Sequence, residues 1–283
     1  MTSVMDRRTF LAGTGAVLFA APMMVEAQQA GKIYRIGFLN PRSGQNEWDE
    51  AFRQTLRELG YVEGRTITIE YRWGAGNEER LAEMAAELVQ LKVDIIVAAA
   101  TVAIQAAKRA TNTIPIVMAA VSDPVGIGIV ASLSRPGGNV TGLTLMTPDL
   151  AGKRLQWLRE ILPKTTRVAI LGGRGGATRL FLEQMRAAAQ QTGVQLVLPE
   201  VIGAEDLPGA FTVMQRERAQ ALIVEVGPLT SDHRRRIVEL AAQYRLPAMY
   251  EVRGFVESGG LMSYGPSIVE MYRRTAVYVD KIL

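Results

Sequence analysis

Apolar and polar positions along the chain alternate between two periods. Tyr34–Leu39 is a short β-rich run closed by the turn-forming Asn40-Pro41-Arg42-Ser43-Gly44, and it predicts a first strand with its loop. From Glu47 to Leu59 apolar residues recur at helical spacing, and Gly60 supplies the stop. Thr66–Tyr71 alternates with period two and predicts a second strand. Asn77–Leu91 predicts a helix capped by Asn77 with acids in its first turn. Asp94–Ala98 is continuously apolar, as suits a strand covered on both faces of a parallel sheet, and Thr101 is read as the cap of a helix to Ala110. A further apolar run, Ile114–Val121, stops at Ser122-Asp123-Pro124. The chain is expected to restart as a short helix-like segment ending at the turn Arg135–Gly138. Val140–Thr144 reads as a strand leading out of this lobe, and Asp149–Leu162 as a helix beyond it.

The second half repeats the order of the first. Arg167–Leu171 echoes Arg35–Leu39; the helix ending in Gly193 before Val194–Leu198 echoes the one ending in Gly60; Ala221–Val224 echoes Asp94–Val97; Leu246–Tyr250 echoes Ile114–Met118. Four matches in one order favour a duplicated architecture over a single long sheet. The fold class expected is α/β, with two doubly wound lobes and a hinge. The expected division is an export signal at 1–27, lobe 1 at 32–142, hinge connection and lobe 2 at 143–265, and a helix crossing back at 266–283. Ligands of such sheets bind beyond the carboxyl ends of the strands, here between the lobes.

Position then selects candidate ligand-binding residues: Ser43, Thr101, Ser122, Asp123, Glu225, Tyr250 and Tyr264. Thr101 and Ser122 are placed at helix starts, where free N–H groups favour a carboxylate. Asp123 and Glu225 are acids suited to an ammonium group, and a buried acid implies a cationic partner of some kind. Tyr250 and Tyr264 offer rings for stacking. Each has a plainer reading: helix caps for Thr101 and Ser122, a turn former before Pro124 for Asp123, half-buried core rings for the tyrosines. Trp48 and Trp73 lie near the same rim with weaker claims, Trp73 reading better as core.

Composition narrows the chemistry. The 283 residues carry 32 basic and 28 acidic side chains, a formal charge of +4, spread without the clustered basic face of a nucleic-acid binder. With no cysteine, thiol catalysis and disulfides are excluded, and a sole histidine, His233, argues against a His-based metal site or triad. No cofactor or metal is expected. His233 and Arg234–Arg236 read as a solvated, charged helix start. Gly172-Gly173-Arg174-Gly175-Gly176 follows a strand but lacks the Lys-Ser/Thr of a phosphate loop and does not fit G-x-G-x-x-G.

Asp6-Arg7-Arg8-Thr9-Phe10-Leu11, an apolar run to Met24 and Val25-Glu26-Ala27 resemble a twin-arginine export signal cleaved near Ala27, leaving a mature chain from Gln28; an ordinary Sec signal is the other reading. Either places the protein in the periplasm. No later stretch approaches the ~20 apolar residues of a membrane span, and no Cys stands by the cleavage site for a lipid anchor.

The segments GYVEGRTITIEYRW (60–73), IPIVMAAVSDPVGIGIVASLSRPGGNVTG (114–142) and LPAMYEVRGFVESGGLMSYGP (246–266) resemble the ABC-transporter substrate-binding proteins of the family that includes tryptophan-binding members. The similarity runs essentially from the signal peptide onward. It implies a type I periplasmic-binding-protein fold, two lobes closing around a small solute, a membrane permease as partner, and no catalysis; a monomer is expected. An amino acid with an aromatic or branched side chain is the ligand expected. The alternative is a secreted, transferase-like two-lobe enzyme using the same cleft, for which neither a nucleotide loop nor a clear acid/base motif is found. A regulator's sensor domain lacks its DNA-binding segment. Two departures stand out: relatives often carry Asn-Pro where Gly172–Gly176 stands, and they continue beyond the helix starting near Pro266 in which this chain stops. The expectation is therefore a fragment lacking a C-terminal piece that completes a lobe, with the stability of the isolated chain in question.

Overall fold

A computed structural model describes residues 32–172 and 176–283. The proposed export signal and Gly173–Gly175 lie outside them. Lobe 1 alternates β1 (Tyr34–Asn40), α1 (Glu47–Glu58), β2 (Ile67–Trp73), α2 (Glu78–Gln90), β3 (Ile95–Ala99), α3 (Ala100–Ala110), β4 (Ile116–Val121) and β5 (Val140–Thr144). Lobe 2 holds α4 (Thr147–Ile161), β6 (Arg167–Leu171), α5 (Gly176–Thr192), β7 (Gln195–Val197), α6 (Leu207–Arg216), β8 (Ala221–Val224), α7 (Pro228–Asp232), α8 (Arg234–Gln243), β9 (Ala248–Tyr250), α9 (Gly254–Glu257) and β10 (Met262–Ser263). The last helix, α10 (Ile268–Asp280), packs back on α1 and β4 of lobe 1.

Both sheets are parallel. Their orders, β2-β1-β3-β4-β5 and β7-β6-β8-β9-β10, are the same path taken twice. The four repeats seen in the sequence occupy equivalent places in the two sheets, and β10 is the counterpart of β5. The central strands β3 and β8 are buried along their whole length, because helices cover both faces of each sheet. Helix starts follow their capping residues. The Asn46 side chain accepts from Trp48 N at 2.9 Å while Asp49 accepts from Asn46 N at 2.8 Å, closing a capping box on α1. Asn77 and Ser267 cap α2 and α10 in the simpler way.

Two expectations are corrected here. No helix follows Ser122: residues 122–139 form turns and bends. Asp123 Oδ1 accepts from Gly126 N at 2.9 Å, and Gly128 turns at φ +72°, so local side-chain bonding and glycine win over helix propagation. Val140–Thr144 is the edge strand of the lobe 1 sheet and not a bare connection, paired with β4 from Ile116↔Val140. That pairing needs Gly142, at φ +132°, since a Cβ there would lie 2.4 Å from the Met118 carbonyl oxygen.

The chain passes between lobes twice within the described residues, through Leu145-Met146 before α4 and through Tyr264–Ser267 before α10. Few strands crossing and a continuous apolar cluster beneath them describe a hinge. Among the described residues no helix is long and apolar enough to cross a membrane.

Candidate ligand-binding cleft

The carboxyl ends of both sheets converge on a cavity of about 50 Å³ between the lobes. Lobe 1 contributes Asn40, Pro41 and Arg42 after β1, Trp48 of α1, Ala99-Ala100 at the β3–α3 junction, and Ala120 of β4. Lobe 2 contributes Val226, Gly227, Pro228 and Ser231; the first crossing adds Leu145, and α10 adds Ile268 and Tyr272. The walls are mostly apolar, with a few polar groups converging on them, which is the composition of small-molecule sites. The volume is far below the ~300–1,000 Å³ of a small-molecule pocket, and Ser43–Asp232 and Glu47–Arg234 contacts join the lobes across its mouth, so the structure is a closed arrangement.

Arg42 is the cation of this wall. It is 4% exposed, its Nη2 donates to Asp49 Oδ2 at 2.6 Å, and its guanidinium lies 5.1 Å from the Trp48 ring centroid and 5.6 Å from that of Trp73. Burial works to lower its pKa, but Tyr272, Asp49 and Asp232 outweigh it and hold the group above its ordinary value. Burial raises the Asp49 carboxyl despite Arg42 beside it. The Asn40 side chain bridges this cluster, accepting from Arg42 N at 3.1 Å and donating to Tyr272 Oη at 3.4 Å. Burial pushes the Tyr272 hydroxyl up to about 12, so it remains neutral while it accepts from Asn40.

Backbone supplies the second polar feature. α3 begins after Ala99 with no side chain capping it, leaving first-turn N–H groups at the cavity edge. Ala100 and Ala120, both on the cavity wall, have left-handed backbone at φ +63° and +56°, and Met146 in the first crossing has φ +48°. For residues with a Cβ this conformation costs about 1–2 kcal/mol. At these three positions the surroundings must hold the backbone in place; Ala75, Lys92, Arg218 and Arg245 adopt the same conformation in turns elsewhere.

Behind the lobe 2 wall lies a second buried ion pair. Arg154 of α4 meets Glu251, just past β9, at 2.6 Å with both side chains 1% exposed. Glu251 Oε2 accepts from Val226 N at 2.7 Å, and Arg154 Nε donates to the Tyr264 carbonyl at 2.9 Å. One cluster therefore ties a cavity-lining residue to the second crossing. Burial pushes Glu251 up to about 7 and lowers Arg154.

The sequence candidates separate sharply. Thr101 is buried next to the cavity-lining Ala100 as the second residue of α3, and not its cap, because the helix starts at Ala100, two residues earlier than expected. Ser122 is buried with its hydroxyl unbonded, but it starts no helix, which removes the dipole argument made for it. Asp123 spends an oxygen on Gly126 N, the turn reading. Glu225 is buried beside Gly172, within the electrostatic reach of Arg154. Tyr250 is 1% exposed and stacked on Phe255 at 4.7 Å, a core ring of lobe 2 with no face toward the cavity. Tyr264 is 37% exposed against Trp157, at the second crossing. Ser43 reaches across the cleft mouth to Asp232. Arg42, Asn40 and Tyr272, which the structure brings to the cavity wall, were not among the candidates, although Arg42 stands in the very loop from which Ser43 was chosen; an arginine two residues past a strand end was the available signal.

Two parallel α/β lobes of one topology, joined by crossing segments over a closed cleft, define the type I periplasmic-binding-protein class. Within that class, the chain matches the ABC transporter substrate binding protein family over residues 42–283, and it belongs to that family. It is 26% identical over 219 residues to a tyrosine-binding protein of Clostridioides difficile (strain R20291), covering 76% of this chain and 62% of that protein. The chain thus spans less than two thirds of the length of that relative. A conserved domain protein of Vibrio cholerae O1 biovar El Tor superposes with a TM-score of 0.80 at 27% identity, over 89% of this chain and 85% of the other. An ABC domain from Streptococcus pneumonia, solved in complex with L-Trp, superposes at 0.78 with 23% identity and the same coverage.

Proposed function

We propose that this protein is the solute-capturing receptor of an ABC importer, exported through the Arg7-Arg8 signal to work outside the cytoplasm and hand its solute to a membrane permease. It binds without turning its ligand over. The solute is a small amino acid with an aromatic or branched side chain, enclosed by both lobes as they close. The observation that carries this reading is the cavity itself: Trp48 and Tyr272, 6.1 Å apart and tilted, offer apolar faces beside the Arg42 guanidinium and the uncapped start of α3. A ring or branched chain fits the faces, and a carboxylate fits the cation and the free N–H groups. The names of the tyrosine-binding relative and of the L-Trp complex support the same solute class.

Isothermal titration of the folded mature chain with a panel of amino acids tests it. Binding is expected for an aromatic or branched member and not for aspartate or lysine. A folded protein that takes none of the panel contradicts the solute class. Fractionation of cells carrying Arg7→Lys with Arg8→Lys tests the export route; retention in the cytoplasm is the expected result, and unchanged export points to the Sec pathway.

A further inference from the structure

α8 opens with Arg234, Arg235 and Arg236 and has no acid in its first turn. Cations at a helix N-terminus oppose the macrodipole, so the helix itself gains nothing from them. Across the cleft, α1 opens with Glu47, Asp49 and Glu50. An acidic helix start faces a basic one over the cleft mouth.

The two are joined by direct contacts. Arg234 Nη1 lies 2.5 Å from Glu47 Oε1, and Ser43 donates to Asp232 Oδ2 from both its backbone N at 3.2 Å and its Oγ at 3.0 Å. These contacts link residues 187 and 189 positions apart, one partner always in each lobe. They stand in an open groove of about 480 Å³ walled by residues 42–46 from lobe 1 and 231–236 from lobe 2. Arg42 and Ser231 belong to this groove and to the inner cavity, so the contacts close directly over the solute space.

We propose that Ser43, Glu47, Asp232 and Arg234 form an electrostatic clasp that holds the lobes shut. They are positioning residues: they set the closure equilibrium and the rate of solute escape without touching the solute. The clasp explains a helix start that its own dipole disfavours, and it gives Ser43 a partner in the opposite lobe in place of a ligand contact. With Arg234 25% and Glu47 40% exposed, the pair is open to ions, so the clasp weakens as salt rises. The inference does not depend on which solute is bound.

The chain has no cysteine, so labels at Glu58→Cys and Gln243→Cys, exposed at the ends of α1 and α8, report lobe separation cleanly. Spin-label distance distributions are recorded with and without saturating L-tyrosine, at low and high salt. In Asp232→Ala/Arg234→Ala the closed-to-open ratio is expected to fall about tenfold, equivalent to about 1.4 kcal/mol. Salt is expected to open the parent chain and to leave this variant unchanged. The charge swap Glu47→Arg/Arg234→Glu is expected to restore closure. The proposal is overturned if the parent shows no closed population in either sample, or if the double variant, melting like the parent, keeps the parent distribution. Should clasp variants shift the distances while L-tyrosine shifts none, the clasp stands and tyrosine is removed from the solute class.

Discussion

The two lobes repeat one topology, yet each uses a buried arginine–carboxylate pair differently. In lobe 1, Arg42 lines the cleft with Asp49 buried behind it, flanked by two tryptophans and linked through Asn40 to Tyr272. In lobe 2, Arg154–Glu251 lies behind the cleft wall and bonds backbone on both sides, Val226 N in the wall and the Tyr264 carbonyl in the crossing. On the proposed function the first pair would present chemistry to the solute, and the second would fix the frame behind it. Duplication copies strands and helices, and the loops at their carboxyl ends are free to diverge.

The largest expected effect comes from breaking the framework pair. Glu251→Ala leaves Arg154 charged in a site with 1% exposure, and loss of one partner of a buried pair typically costs about 3–5 kcal/mol. Urea unfolding should show that loss, and the double change Arg154→Met/Glu251→Leu should recover much of it. A single variant as stable as the parent would show that water reaches the pair and that it frames nothing.

Arg42→Met combined with Asp49→Asn, which leaves no buried carboxylate without its cation, should divide affinity from stability. A hydrogen bond to a charged group is worth about 1.5–3 kcal/mol, so affinity for the captured amino acid should fall roughly 10- to 100-fold. Calorimetry beside a thermal melt separates the two, and a large fall in melting temperature with affinity intact would reverse the roles assigned to the two pairs.

A smaller effect is expected with pH. The Glu251 carboxyl is pushed up to about 7 from 4.5 by burial, with Arg154 and Val226 N only partly opposing. Between these values the folded chain holds a proton that the unfolded chain has released. This contribution to stability is therefore full below pH 4.5 and is lost as pH rises through 7. Glu251→Gln should remove that slope, measured by denaturant midpoints across the range; Asp49→Asn, at the cleft, should leave it in place.

The smallest effect concerns backbone. Ala100→Gly removes a left-handed alanine at φ +63° but loosens the unfolded chain, so a change within about 1 kcal/mol, favourable in sign, is expected in the unfolding free energy. A clear loss would mean that the methyl group packs in the cavity wall and outweighs the strain.

Strands were legible wherever an apolar run was continuous, as in Ile95–Ala99 and Ala221–Val224, because burial on both faces demands that pattern. The fold class followed from the repeated order of such runs. Segment 122–139 was not legible as turns, since its outcome rests on one Asp123 side-chain bond and on glycine conformation. Thr101 was misplaced by only two positions at a helix start, since the cap falls on Ala99, and that shift converted a cap into a buried residue beside Ala100 of the cavity wall. Tyr250 reads the same as a core or a cleft ring until its partner Phe255 is known. Arg154 and Glu251 stand far apart in the chain, and nothing in either local pattern announces the other. The same holds for Glu47 and Arg234, whose charges read locally as ordinary solvated helix ends. Candidate cleft residues thus follow from strand ends, but pairing across lobes follows only from how the lobes meet.

The most direct test of solute capture between the lobes is a crystal structure of the mature chain grown with the amino acid that binds it best. The account predicts density in the cavity against Trp48 and Tyr272, with the carboxylate within hydrogen-bonding distance of the Arg42 guanidinium or the first N–H groups of α3, and both lobes in contact with it. A ligand found in the outer groove beside Arg235 and Arg236, or held by one lobe alone, would contradict it.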